Sequence, residues 1–116
     1  MDNTLYKFGR EMILYIKDFT KYPGARYKKL GPSSGEEYRD EILLPQIQKH
    51  GADLVINLDG VFGYGSSFLE EIFGGCVRKG ISGTIMKEIV SKIISDDDDD
   101  LVFEIQGYVE DAIRAS

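Results

Sequence analysis

The chain has 116 residues, 42% hydrophobic and 29% charged, the balance of one soluble globular domain spanning residues 1–116. Its net charge of −6 argues against nucleic acid as a main partner, because phosphate contacts need clustered Lys and Arg, and Arg26, Lys28 and Lys29 make only a small patch. A single cysteine excludes an internal disulfide and no apolar run nears the roughly 20 residues that span a bilayer; the first residues, with Asp2 and Glu11, lack a signal-peptide layout, so a cytoplasmic protein with no membrane partner is expected.

Leu5 to Phe8 and Met12 to Phe19 read as partner strands around a Gly9-Arg10 turn. Pro23-Gly24 marks a turn, and Ala25 to Leu30 reads as a short edge strand. Ser33 or Ser34 then caps a helix with Glu36 and Glu37 in its first turn, a kink or break near Leu44 from Pro45, and an end at His50-Gly51. Leu54 to Leu58, with consecutive apolar residues, reads as a central strand covered on both faces. A helix follows from about Ser66 to Lys79; its Gly74-Gly75 pair costs about 1 kcal/mol per residue against alanine and implies close packing on a neighbour. For residues 84–95 the isoleucines recur every four residues, yet Ile89 to Ile94 is β-branched; a helical turn at Thr84 to Glu88 followed by a strand is expected. The last helix runs from Leu101 to Ala115. Strands alternating with helices after residue 33 give an α/β sandwich.

The densest stretch for function is the loop from Asp59 through Gly60, Gly63, Tyr64 and Gly65 into Ser66-Ser67. It puts hydroxyls and free backbone N–H groups at a helix N-terminus, a place for an anion, a phosphoryl group or a partner's carboxylate. The serines also read as simple N-caps. Tyr64, between two glycines, is either exposed as an interface anchor or folded over the helix start. Glu70 and Glu71 read as first-turn complements to the dipole; adjacent residues point about 100° apart and do not easily share one ligand. Asp96 to Asp100 lacks EF-hand spacing and reads as a solvated cap. His50 stands alone at a helix end, Cys76 lies on an apolar face, and no zinc spacing exists, so neither a metal nor another cofactor is expected. Arg26 and Arg39, with Ser34, Glu36 and Glu37, flank Gly31 to Gly35 as a partner-facing surface or as surface ion pairs.

Gly31-Pro-Ser-Ser-Gly-Glu-Glu-Tyr-Arg-Asp40 and Leu58-Asp-Gly-Val-Phe-Gly-Tyr-Gly-Ser-Ser-Phe-Leu-Glu-Glu-Ile-Phe-Gly-Gly75 resemble the bacterial STAS-like domain family of unknown function, over about Met12 to Ala112. That family is similar to the STAS domains of anti-sigma-factor antagonists, which carry a serine or threonine at the start of the helix after the central strand. A GHKL-type kinase phosphorylates it and so releases a partner. By position Ser67 matches that residue, with Ser66 beside it; the antagonists usually place an aspartate just before the serine pair, where this chain has Gly65.

The resemblance implies a STAS-like α/β fold, a four- to five-stranded mixed sheet with helices mainly on one face. It also implies a non-enzymatic bacterial regulatory module that contacts a protein partner, a GHKL-type ATPase or serine kinase. The rival readings are a phosphate- or nucleotide-binding domain using the glycine-rich loop, weakened by the lack of Lys or Arg from Asp59 to Val77, and a structural subunit of a larger complex.

Overall fold

The computed structural model describes residues 5–116, so Asp2 lies outside the described residues. Strands β1 (Leu5–Phe8) and β2 (Glu11–Tyr15) form the expected hairpin, with Phe8 opposite Glu11 across the Gly9-Arg10 turn. β3 (Leu54–Asn57) lies parallel to β2, with Met12 beside Leu54 and Leu14 beside Ile56. The order β1-β2-β3 makes a mixed sheet. Beyond β3 only Ile94 continues the pairing, through a parallel bridge to Asn57 in which the Ile94 N–H donates to Ile56 O at 3.0 Å.

Among the described residues the sheet therefore has three strands, not four to five. Two expected strands fail for different reasons. Ala25 to Leu30 lies between Pro23-Gly24 and Gly31-Pro32; its carbonyls at Ala25 and Arg26 accept from the Gly35 and Glu36 N–H groups, and Lys28–Leu30 closes into a 3-10 turn. The helix Gly83–Ser91 takes the first half of 89–94: Ser82 accepts from the Ile85 N–H at 3.2 Å, and Met86, Ile89 and Val90 then bury one helical stripe, leaving only Ile94 to bridge to the sheet. Tertiary burial overrides the β preference of the branched residues there. β2 is also shorter than expected, because Ile16–Asp18 turns into a 3-10 segment that buries Ile16.

Helices α1 (Gly35–Tyr38) and α2 (Leu44–His50) are joined by a π turn at Arg39–Leu43, so the three make one rod. The irregularity expected at Leu44 is this π turn rather than a break. Its wider ring, with the Leu44 N–H bonded to Arg39 O, absorbs the donor that Pro45 lacks. Ser34 caps the rod by accepting from the Glu37 N–H at 3.0 Å, and Gly51 ends it, both as expected. α3 (Ser66–Arg78), α4 (Gly83–Ser91) and α5 (Asp100–Ala115) complete the domain; α3 packs on α5 and on α1, and α4 on α5.

The strand period of two sorts the sheet into two faces. Leu14, Leu54 and Ile56 join the main core with Phe68, Phe73, Ile72 and Ile105 from the helices. Tyr6, Ile13 and Val55 form a row on the opposite face, outside that cluster; Val55 is buried too, so β3 is covered on both faces as expected, while Tyr6 at the far side of the row is exposed. The result is a two-layer α/β domain consistent with a STAS-like fold. No described helix is long and apolar enough to cross a membrane.

Phe73 is fully buried, and Tyr6 is about half exposed. In denaturant titrations Phe73→Ala should cost about 3–5 kcal/mol and Tyr6→Ala less than about 1 kcal/mol. Equal losses would contradict a main core on the helix side of the sheet.

Candidate functional site

The end of β3 fixes the glycine-rich loop through three short bonds. The Asp59 N–H donates to Asn57 Oδ1, the Asp97 N–H to Asp59 Oδ1, and the Gly60 N–H to Asp97 Oδ2, each at 2.9 Å. Gly60 has φ +82°, a left-handed backbone that favours glycine, and the Lys17 side chain packs against it. The Tyr64 phenol donates to Leu58 O at 2.7 Å and its ring lies 6.1 Å from that of Phe68. Burial, with Asp59 and Asp97 nearby, pushes its pKa up. Of the two readings for Tyr64, the structure gives the second: it latches the loop onto the core. The exposed aromatic of this loop is instead Phe62, stacked on Tyr22 at 4.9 Å with planes 2° apart, the two rings 74% and 70% exposed. Sequence reasoning missed this pair, although Phe62 lies in the same glycine-rich loop, between Val61 and Gly63.

α3 begins one residue earlier than the capping reading requires. Gly65 holds the N-cap position, with extended backbone and no side chain to offer, and Ser66 and Ser67 are the first two helical residues. Both are exposed and neither caps the helix. Ser66 lies near the Tyr108 phenol of α5, whose own hydrogen bond goes to Glu104 and whose pKa is pushed up to about 12 by burial and by that carboxylate. The Ser67 hydroxyl has no hydrogen-bond partner among the described residues. A cavity of about 520 Å³ opens in front of it, lined by Ala25, Arg26, Tyr27, Leu30, Ser66 and Ser67 among others. Arg26 is thus a cation beside the helix start, supplied from outside the segment Asp59 to Val77.

Arg26 is not free, however. Its Nη1 donates to Glu71 Oε1 at 2.9 Å and also to Glu70. Glu71 is buried and also accepts from Arg39, itself 4% exposed, while Arg39 Nε donates to Asp40 at 2.9 Å. Arg78 closes the network on Glu70, at 2.7 and 3.0 Å. Three expectations change here. Glu70 and Glu71 lie beyond the first turn of α3, they do share one ligand, the Arg26 guanidinium, and Arg26 and Arg39 pair with α3 rather than with Glu36 or Glu37. Glu36 binds the Lys28 N–H at 2.9 Å, and buried Ser34 is the cap of α1. The close packing on a neighbour inferred from Gly74-Gly75 holds at Gly75, where a Cβ would lie 2.9 Å from Arg39 Nη1, while a Cβ on Gly74 would meet Glu70 and Arg78 of α3 itself.

The remaining candidates stand apart from the two serines. Cys76 is buried on the core face of α3, and burial pushes its thiol pKa up to about 12, which favours the protonated form. His50 lies at the end of α2 and makes no hydrogen bond to either serine. Asp98, Asp99 and Asp100 can bring carboxylate oxygens within 4.8 Å of one another, but all three are exposed in the turn before α5, where Asp98 accepts from the Asp100 N–H at 3.1 Å.

Breaking the buried pair should cost more than replacing it. Glu71→Ala leaves Arg39 buried and without its α3 partner, with an expected loss of about 3–5 kcal/mol in denaturant titration, whereas the double variant Arg39→Met/Glu71→Leu should recover much of it. Equal losses would contradict the pairing. The same network sets a pH dependence. Burial opposes ionisation of Glu70, but hydrogen bonds from Arg78 and Arg26 outweigh it and hold its pKa below 4.5; the Arg39 hydrogen bond likewise lowers Asp40 below 3.8. Folded values below unfolded ones mean stability that is present above those values and lost as pH falls through the lowered ones. Thermal melts should therefore fall steeply below about pH 4 in wild type and less steeply in Glu70→Gln. Parallel curves would remove Glu70 from the account.

No curated protein and no solved structure matches the chain. A family model described as the STAS-like domain of unknown function (DUF4325) matches residues 34–99. The match holds the Ser34 cap, Arg39, the whole glycine-rich loop, Ser66, Ser67, Glu70 and Glu71, while Arg26 lies outside it. With more than half of its length in that match, and with a strand, loop and helix start arranged as described, the chain belongs to the family of STAS-like domains of unknown function.

Proposed function

We propose that this domain is a non-enzymatic protein–protein interaction module of a bacterial regulatory system, with its contact at the start of α3 and its switch at Ser67, Ser66 being second. The observation that carries the reading is the uncommitted Ser67 hydroxyl. A serine at a helix start is usually explained by capping, worth about 1 kcal/mol. Gly65 occupies the cap position here, so that explanation is removed. The hydroxyl faces solvent within a cavity that also presents Tyr27 and Leu30, 41% and 62% exposed, as apolar contacts for a partner.

A phosphoryl group on Ser67 would add up to about two negative charges at this surface. The dipole of α3 favours that charge by about 0.3–1 kcal/mol, so the modified domain stays folded. A partner surface that is acidic or apolar is repelled by it. The partner class that fits is a GHKL-type ATPase or serine kinase, drawn from the resemblance to anti-sigma-factor antagonists. The reading places the module in the cytoplasm, where such kinases act.

A second reading has one observation in its favour: Arg26 beside an uncapped helix start can hold an anion. Glu70 and Glu71 already neutralise Arg26, which is why the interaction reading is preferred.

The test is an affinity pull-down from the native cell, with wild type, Ser67→Ala and Ser67→Asp compared by mass spectrometry. A partner held by wild type and Ser67→Ala and lost by Ser67→Asp is expected. Identical partner sets from all three would contradict a charge switch, and saturable binding of inorganic phosphate at the Ser66 and Ser67 amides would favour the second reading.

A further inference from the structure

A second cavity lies on the other side of the glycine-rich loop. β2 and β3 run parallel and Ile94 runs parallel beside Asn57, so the segments that follow all three emerge at one edge of the sheet. In open α/β sheets the carboxyl ends of the strands are where ligands gather. Here the loop after β3 and the turn after Ile94 enclose a cavity of about 230 Å³, with Leu58, Val61, Phe62, Tyr64, Asp97 and Asp98 among its walls.

Three properties select its occupant. The volume is below the roughly 300–1,000 Å³ of sites for drug-sized ligands, so it suits one side chain rather than a nucleotide. The polar wall is acidic. Among the described residues Asp97 Oδ2 receives only the Gly60 N–H and Asp98 Oδ1 only the Asp100 N–H, so each carboxylate keeps acceptor sites free, and Asp59 stands bonded behind Asp97. Lys17 approaches Gly60, its ammonium 3.8 Å from where a Cβ on Gly60 would stand and 5.3 Å from the Tyr15 ring centroid; among the described residues no Lys or Arg lines the cavity itself. Phe62, with Tyr22 stacked on it, offers exposed aromatic surface beside these carboxylates. A planar cation uses both features at once, pairing with carboxylates and stacking on a ring, which a compact ammonium does less well.

We propose that this cavity, walled by Phe62, Asp97 and Asp98, binds an arginine side chain presented by a protein partner. The proposal takes from the interaction-module reading only that the partner is a protein; it does not depend on Ser67. It gives the acidic turn Asp96 to Asp98 and the Tyr22–Phe62 stack one shared role, and it fits a chain of net charge −6.

The test is an NMR titration of isotope-labelled full-length protein with Nα-acetylarginine amide, and in parallel with Nα-acetylcitrulline amide, a neutral near-isostere. Saturable shifts at the Phe62, Gly63, Tyr64 and Ser95 to Leu101 amides are expected with the arginine probe, with a Kd on the order of millimolar, and only weak ones with citrulline. Asp98→Asn and Phe62→Ala should each weaken binding about tenfold, Asp98→Asn by removing charge and Phe62→Ala by removing the stacking face. Ser67→Asp should leave the titration unchanged. Equal shifts with arginine and citrulline, shifts spread over other acidic surfaces such as Glu104 and Glu110, or no saturable shift would overturn the proposal. Such a failure beside a Ser67-sensitive partner would leave the switch reading standing, and an intact arginine titration beside an insensitive partner would leave this one standing.

Discussion

The buried ion pair between Arg39 and Glu71 is the constraint on which the functional end of the domain depends. Burying two charges carries a desolvation cost that only close pairing and further hydrogen bonds offset. Every neighbour contributes to that offset: Asp40 takes the Arg39 Nε, Arg26 binds Glu71, and Gly75 leaves the space that the guanidinium fills. The π turn begins at Arg39, so the irregular stretch of the first rod and the pairing with α3 coincide. Such a pair adds little net stability against an apolar replacement, but it tolerates only one relative placement of its elements. It specifies how α3 sits on the first rod more than how firmly.

That placement determines what the start of α3 can do. The network ties α3 to the rod and, through Arg26, to the 24–30 loop, which is further held by the Gly35 and Glu36 N–H groups. Tyr64, bonded to Leu58 O, and the Asp59–Asp97 bonds fix the other side of the glycine-rich loop. Between these two anchored flanks Ser67 stands exposed with its hydroxyl uncommitted. A rigid surround with one free polar group is the arrangement a charge-read contact needs, because the added charge changes the surface without unfolding it. The two sides of the loop also differ in electrostatics: basic residues Arg26, Lys28 and Lys29 lie on the Ser67 side, and Asp59, Asp97 and Asp98 on the other.

Local signals were legible in the sequence and distant pairings were not. The hairpin at Gly9-Arg10, the cap at Ser34, the stop at Gly51 and the apolar run of β3 are each written within a few neighbouring residues, and the family resemblance rests on two contiguous segments, Gly31 to Asp40 and Leu58 to Gly75. The strand expected at 89–94 failed because a β-branched run and a four-residue repeat of isoleucines conflict, and burial of Met86, Ile89 and Val90 against the core decided for the helix. The edge strand expected at Ala25 to Leu30 failed because its carbonyls serve the helix start instead. At the site, Ser66 and Ser67 were correctly placed at the start of α3 but misassigned by one position, since glycine is itself an acceptable N-cap. The Arg26–Glu71 contact joins residues 45 apart, and the Tyr22–Phe62 stack joins two separate loops, so neither leaves a trace in local spacing.

The central claim is that Ser67 is not held in place by the stability of its own helix. The most direct measurement is the unfolding free energy of Ser67→Ala by denaturant titration, with Ser34→Ala, a true cap, alongside it. Ser67→Ala should match wild type within about 0.5 kcal/mol, while Ser34→Ala loses about 1 kcal/mol or more. A loss at Ser67 as large as that at Ser34 would show the hydroxyl to be a structural cap and would contradict the account.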